Sequence, residues 1–374
     1  MKVVHSYVDK YNIIWKELLY SQYLSALLAK KHYGNISFVS TPEIIKVVSE
    51  LGIPYNECID DIIVQEHSDT WSIGKLHCFK NIKEPFLHID YDTFLFKKID
   101  FKKYKRPFIF SHPDLAGSDG ILKNIDEGFS SIINNMYSFS NPKSRFTYDL
   151  NNTYTRLLFK LIDKFDKKVL ENFDLNSIPN MNIVYVEDYK TFNKVAEEAL
   201  THYYSNKQAI DEEEFGPCYI EQLTLHQILR SKNKEYKAYS SKNKHTIFDY
   251  VPFTQLDEFN NVPSINDVKF PFRGKLKTLC DCCNQPFEKV ITIESKEQVK
   301  EFFDEDFNGF LHSTYLKWYD IFQAYTIHHL RKLIGDSKLK QIYNYYKSIH
   351  PNLNLPIKSG GEKLYEELTN FSFE

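Results

Sequence analysis

The segment EPFLHIDYDTFLFKKI, residues 84–99, places two carboxylates, Asp90 and Asp92, directly after an apolar run. Side chains alternate along extended backbone, so residues i and i+2 can point the same way. Two carboxylates held this close repel unless a cation sits between or beside them. Their hard oxygen donors suit Mg²⁺ or Mn²⁺, ions that commonly bridge to substrate phosphates. Such an ion would neutralise a diphosphate as it departs. The plain alternative is a loop with two solvated aspartates, and context must choose between the two.

That context is an alternation of strand and helix. VVHSY (3–7) reads as a strand and 12–33 as a helix with Trp15, Leu18, Leu19 and Ala26 on one face, ended by Gly34-Asn35. ISFVS (36–40) is a second strand, and Thr41-Pro42-Glu43 opens a helix that runs to Leu51-Gly52. DIIV (61–64) reads as a third strand, 69–80 as a third helix and PFLHID (85–90) as a fourth strand. This order predicts an α/β fold, a mostly parallel sheet flanked by helices. Ligands bind such sheets beyond the carboxyl ends of the strands, where Asp90 and Asp92 fall.

Beyond residue 100 the expectations are loops over 101–150, a helix over 153–172, a strand at 181–186 and a helix capped by Asp188. A helix at 219–230, strands at 246–252 and 289–293, and a helical C-terminal region over 313–349 complete the reading. The organisation expected is a catalytic domain over 1–312 and a helical extension over 313–374.

Composition excludes several classes. The 374 residues are 42% hydrophobic and 16% aromatic, enough for a sizeable core. With 47 basic against 50 acidic side chains there is no electrostatic footprint for nucleic acid. No apolar stretch reaches the ~18 residues that suggest a bilayer span. The start lacks the pattern of a secretory leader, so a cytoplasmic location is expected. Six cysteines in so large a chain fit reduced thiols. Cys280, Cys282 and Cys283 form a cluster with no second ligand pair, which favours free thiols over zinc.

HIDYDTFLF resembles the D-x-D segment of glycosyltransferases with the GT-A fold, and the wider pattern is most similar to family 8, the glycogenin and lipopolysaccharide galactosyltransferase type. The resemblance implies a GT-A-like sheet. It also implies His5, Ser6 and Tyr7 at the nucleoside, Tyr7 by stacking, against the alternative of a plain core strand. Lys75, on the helix that also carries Trp71, would approach the donor; the alternative is a solvated helix lysine. HSTYLKW (312–318) resembles a late metal-and-phosphate segment, making His312 a metal ligand beside Asp90 and Asp92 and Lys317 a phosphate contact. Tyr315 stands where that segment has glycine, and its proline is missing. Glu221 and Gln222 occupy the place of a pair beside the reacting sugar carbon. Asn180 and Asn182 are further donor-sugar candidates.

The implied function is metal-dependent transfer from a nucleoside diphosphate sugar, a UDP-sugar by preference, to an unknown glycan, protein or small-molecule acceptor. Family 8 implies retention of configuration. Asp90 would touch both metal and nucleotide. The alternatives are a nucleotidyltransferase, against which stands the lack of a glycine-rich basic N-terminal loop, and a non-catalytic nucleotide-sugar-binding protein.

Overall fold

The computed structural model describes residues 1–9, 14, 16–60, 72–96, 98–110, 156–157, 160–171, 179, 181–213, 216–232, 237–238, 250–251, 272–279, 286–293, 307–349 and 360–374. The chain forms two compact units, one of residues 1–14, 26–142 and 146–252, the other of 15–25, 143–145 and 253–374.

The first unit holds a seven-stranded sheet. Its strands are β1 (Lys2–Ser6), β2 (Ile36–Val39), β3 (Glu57–Ile59), β4 (Phe86–Ile89), β6 (Phe108–Phe110), β7 (Ile183–Val186) and β8 (Lys237–Ala238), in the order β3-β2-β1-β4-β7-β6-β8. β1, β2, β3 and β4 are mutually parallel, and β7 runs against both β4 and β6. A short ribbon, β5 (Phe94–Leu95) with β9 (Tyr250–Val251), follows the fourth strand. The expected mostly parallel sheet with flanking helices is present.

Helices α1 (Lys16–Tyr33), α2 (Pro42–Leu51) and α3 (Ser72–Asn81) connect the first four strands. α2 begins with Pro42 in its first turn and ends at Gly52 in the left-handed conformation (φ 67°), as its sequence requires. The helix Tyr189–Ser205 starts where Asp188 accepts a hydrogen bond from the Thr191 N–H, and it buries the expected Phe192, Val195, Ala196, Ala199 and Tyr203. α3 and this helix share a core with Val4, Phe86, Phe108, Phe110, Val184 and Val186, which alternate onto one face of the sheet. On the other face Phe101 stacks on Tyr185, ring centroids 5.3 Å apart.

Several elements differ from expectation. The described third strand is Glu57–Ile59, while 61–64 and the start of the expected third helix lie outside the described residues. Phe108–Phe110, expected within loops, is a buried strand. Within 153–172 the described residues include a 3₁₀ turn, Ile162–Lys164, and a short helix, Lys167–Glu171. Of the strand expected over 246–252, Tyr250–Val251 is described.

The second unit contains the expected helical C-terminal region. The helical run Phe307–Ile349 is broken at Gly335 (φ 77°), and a further helix spans Gly360–Thr369. Tyr20, Tyr343, Tyr365 and Phe373 are buried there, with the Tyr20 hydroxyl donating to Glu362 at 2.7 Å. The antiparallel pair β10 (Phe272–Leu279) and β11 (Pro286–Ile293) also falls in this unit. No helix among the described residues is long and apolar enough to cross a membrane.

Candidate active site

The sheet order reverses between β1 and β4. The chain steps outward from β1 through β2 to β3 and then returns to the other side of β1 as β4. Such a reversal opens a crevice at the carboxyl ends of the two strands, because their connections leave in opposite directions. Ser6 ends β1, and Asp90 follows the last residue of β4. The D-x-D therefore stands at the position in the sheet where topology makes room for a ligand.

The turn that carries it is fixed by backbone. The Asp90 N–H donates to the Asn182 carbonyl at 2.8 Å, and the Thr93 N–H returns to the Asp90 carbonyl at 3.0 Å. Tyr91, between the two carboxylates, meets Tyr7 edge to face at 5.0 Å.

α3 brings in Lys75. Its amino group lies 2.7 Å from Asp90 Oδ1 and 3.0 Å from Oδ2, also donates to Glu221 Oε1, and reaches the Met181 carbonyl at 3.4 Å. Lys75 is buried, so the alternative of a solvated helix lysine is overturned. α3 is seated by Phe79, which packs against Phe86 and Phe192 at 5.8 and 5.3 Å. Its C-terminal end is tied down by the Asn193 amide, which donates to the Ile82 carbonyl at 3.0 Å and to that of Phe79.

Glu221 arrives from a different kind of element. The chain from Gly216 to Ser231 is helical, but its centre, Tyr219–Thr224, is wound as a π-helix. One extra residue per turn re-aims side chains, and such segments recur at functional sites. Both Glu221 and Gln222 lie on it and are buried. The segment starts at a tight contact: a Cβ on Gly216 would lie 2.0 Å from the Ile210 carbonyl oxygen. Only glycine lets this helix approach so closely.

The electrostatics follow from burial. Burial by itself would lower the pKa of Lys75, but Asp90 and Glu221 outweigh it and hold the ammonium above the ordinary lysine range. Burial raises Asp90 despite Lys75 beside it. Asp92 is raised to about 7, by burial first and then by the charge of Asp90. Among the described residues Asp90, Asp92 and Glu221 gather around Lys75, a concentration of negative charge. This is what a hard divalent cation would balance, and the Asp90–Asp92 pair fits one. Among the described residues no group of three or more metal-ligating side chains is assembled. The pair would supply two donors, with phosphate oxygens and water supplying others.

The remaining expected residues are placed as follows. Ser6 accepts or donates a hydrogen bond with His88 Nε2 at 2.8 Å. His5 is fully buried, its Nδ1 3.0 Å from the Tyr55 hydroxyl. Asn182 supplies the carbonyl that holds Asp90. His312 and Lys317 fall in Phe307–Ile349, where their side chains lie outside the described residues, as do Trp71, Asn180 and the Cys280–Cys283 cluster. His88 was not anticipated, although its position two residues before Asp90 on a strand puts both on one face.

The fold and this cluster define an α/β protein with a carboxylate–ammonium site at a topological switch point. The chain belongs to the Family of unknown function (DUF6734), whose match covers residues 7–305 and so includes Lys75, Asp90, Asp92 and Glu221. No curated protein matches it. Among solved structures it is similar to an active-site mutant of LgtC, with 8% identity, 70% of this chain and 84% of that chain covered, and a TM-score of 0.32. It is also similar to mouse xyloside xylosyltransferase 1 in its apo form, with 10% identity, coverage of 63% and 76%, and a TM-score of 0.25. Likeness at that level carries no functional argument.

Proposed function

We propose that the chain is a glycosyltransferase that takes its sugar from a nucleoside diphosphate sugar, a UDP-sugar by preference, with a divalent cation. The observation that carries this reading is the Asp90/Asp92 pair at the β1–β4 switch point, with Asp90 clamped by Lys75 and both carboxyls pushed up by burial. Asp90 and Asp92 would hold Mg²⁺ or Mn²⁺, which when bound supplies charge neutralisation for the diphosphate.

The chain's own groups do the rest. Tyr7 and Tyr91 form an aromatic corner beside the crevice, suited to a flat base or a sugar face. Lys75 ties Glu221 and Asp90 together in a buried setting, where electrostatic effects are stronger than in water. Glu221, held from below by Lys75, places negative charge where an oxocarbenium-like carbon would develop positive charge. Gln222, on the same π-wound turn, supplies an amide to orient sugar hydroxyls. Retention of configuration belongs to the same proposal, as does the cytoplasmic location.

A screen of UDP- and GDP-sugars that reads released nucleotide, with Mn²⁺ and with chelator, tests it. The expected result is cation-dependent release from one donor, reduced about a hundredfold or more in Glu221→Gln. Pyrophosphate release from a nucleoside triphosphate and a sugar phosphate would instead establish nucleotidyl transfer.

A further inference from the structure

We propose that His88 is a positioning residue: its buried ring accepts the Ser6 hydroxyl proton at Nε2 and turns Nδ1–H toward Asp90, a second anchor for the carboxylate that Lys75 holds. The inference rests on the reading of Asp90 as a cation- and donor-binding group.

Geometry supports it from both sides of the ring. His88 is fully buried, Nε2 lies 2.8 Å from Ser6 Oγ, and Nδ1 faces Asp90 Oδ1 across 3.7 Å. An ionised carboxylate only accepts hydrogen bonds. A bare Nδ1 lone pair turned toward it would repel it, whereas Nδ1–H is attracted. With the proton on Nδ1, Nε2 must accept, and the Ser6 hydroxyl can donate. The ring plane is held by Phe79, edge to face at 5.1 Å.

The spacing of the two elements makes the arrangement specific. Lys75 and Phe79 are four residues apart on α3 and rise about 6 Å along the helix. His88 and Asp90 are two residues apart on extended chain and span about 6.6 Å. Helix and strand therefore match, Lys75 onto Asp90 and Phe79 onto His88.

Nδ1 makes no hydrogen bond in this state. Buried donors without an acceptor are uncommon and costly. A movement of the carboxylate by about 0.8 Å would bring it to hydrogen-bond distance. A diphosphate that draws on Lys75 would release Asp90 toward His88 without leaving it unanchored. Ser6 thereby links the end of β1 to the metal-binding carboxylate across the switch point.

The test has two independent arms. Nitrogen-15 histidine NMR of the full chain, with the His88 signals assigned by their loss in His88→Gln, reads which ring nitrogen carries the proton. The Nδ1–H tautomer is expected, with its Nδ1 signal displaced in Asp90→Asn and its Nε2 signal in Ser6→Ala. The Nε2–H tautomer would overturn the inference. In the second arm Mn²⁺ is titrated in the presence of UDP. Asn can mimic an Nδ1–H donor, whereas Gln reaches only as Nε2 does. His88→Gln should raise the Mn²⁺ needed for half-maximal binding about tenfold, and His88→Asn much less, at similar melting temperatures. Equal losses in both variants, tracking a fall in melting temperature, would reduce His88 to a packing residue. If the wild type bound no UDP with Mn²⁺, the proposed function would fall, and the tautomer would still decide for or against His88.

Discussion

Lys75 lies 2.7 Å from Asp90 yet forms no ion pair with Asp92 among the described residues, so the two carboxylates of one motif live in different electrostatic settings. Lys75 also pairs with Glu221, and the side chains of Lys75 and Glu221 are only 6% and 2% exposed. Buried pairs are expensive to break because the abandoned charge stays out of water.

Lys75→Met should therefore cost about 3–5 kcal/mol of stability by denaturant unfolding. Adding Glu221→Gln should recover part of that loss, since it removes one of the stranded charges. A loss under about 1 kcal/mol, the range of exposed pairs, would mean the clamp is not formed in solution.

Asp92 gives a pH signature. Its pKa is raised from 3.8 to about 7. A carboxyl raised in the folded state lends stability that is complete below its unfolded pKa and lost as pH rises through about 7. Without added cation, Asp92→Asn should melt higher than wild type at pH 8, by a smaller margin at pH 5, and nearly level with it only at or below the unfolded value of 3.8. Equal melting temperatures at pH 8 would show that Asp92 is not strained by its surroundings.

The buried imidazoles predict the opposite slope in acid. Burial lowers His5 to about 3, burial and then Arg230 lower His226 to about 3, and burial followed by Lys75 lowers His88 well below its usual value. Their contribution is present above the unfolded value of 6.5 and lost as pH falls toward about 3. Each can add up to about 1.4 kcal/mol per pH unit to the slope. Urea midpoints should drop clearly between pH 6.5 and pH 5. An unchanged midpoint would mean that the rings are hydrated.

Much of the frame was legible from local pattern. β1, β2 and β4 announce themselves as apolar runs, α2 by its proline and glycine, and the helix after Asp188 by its cap and its buried stripe. Asp90 and Asp92 were legible because an apolar strand ends in them. What escaped depends on partners distant in sequence. The reversal of β7 is set by pairing with β4 and β6, not by the composition of IVYV. Phe108–Phe110 is too short a run to stand out beside Pro107. The carboxylates of Asp90 and Glu221 that meet Lys75 lie 15 and 146 residues away. Nothing in YIEQLT marks a π-helix, so Glu221 could be placed on a helix from sequence but not aimed at Lys75.

The central claim is that Asp90 and Asp92 join a divalent cation to a nucleotide diphosphate. Isothermal calorimetry of UDP against the full chain, in saturating Mn²⁺ and in excess chelator, tests it most directly. The account predicts binding that needs Mn²⁺ and is weakened about tenfold or more in both Asp90→Asn and Asp92→Asn. UDP affinity that is the same with chelator as with Mn²⁺, and indifferent to both substitutions, would contradict it.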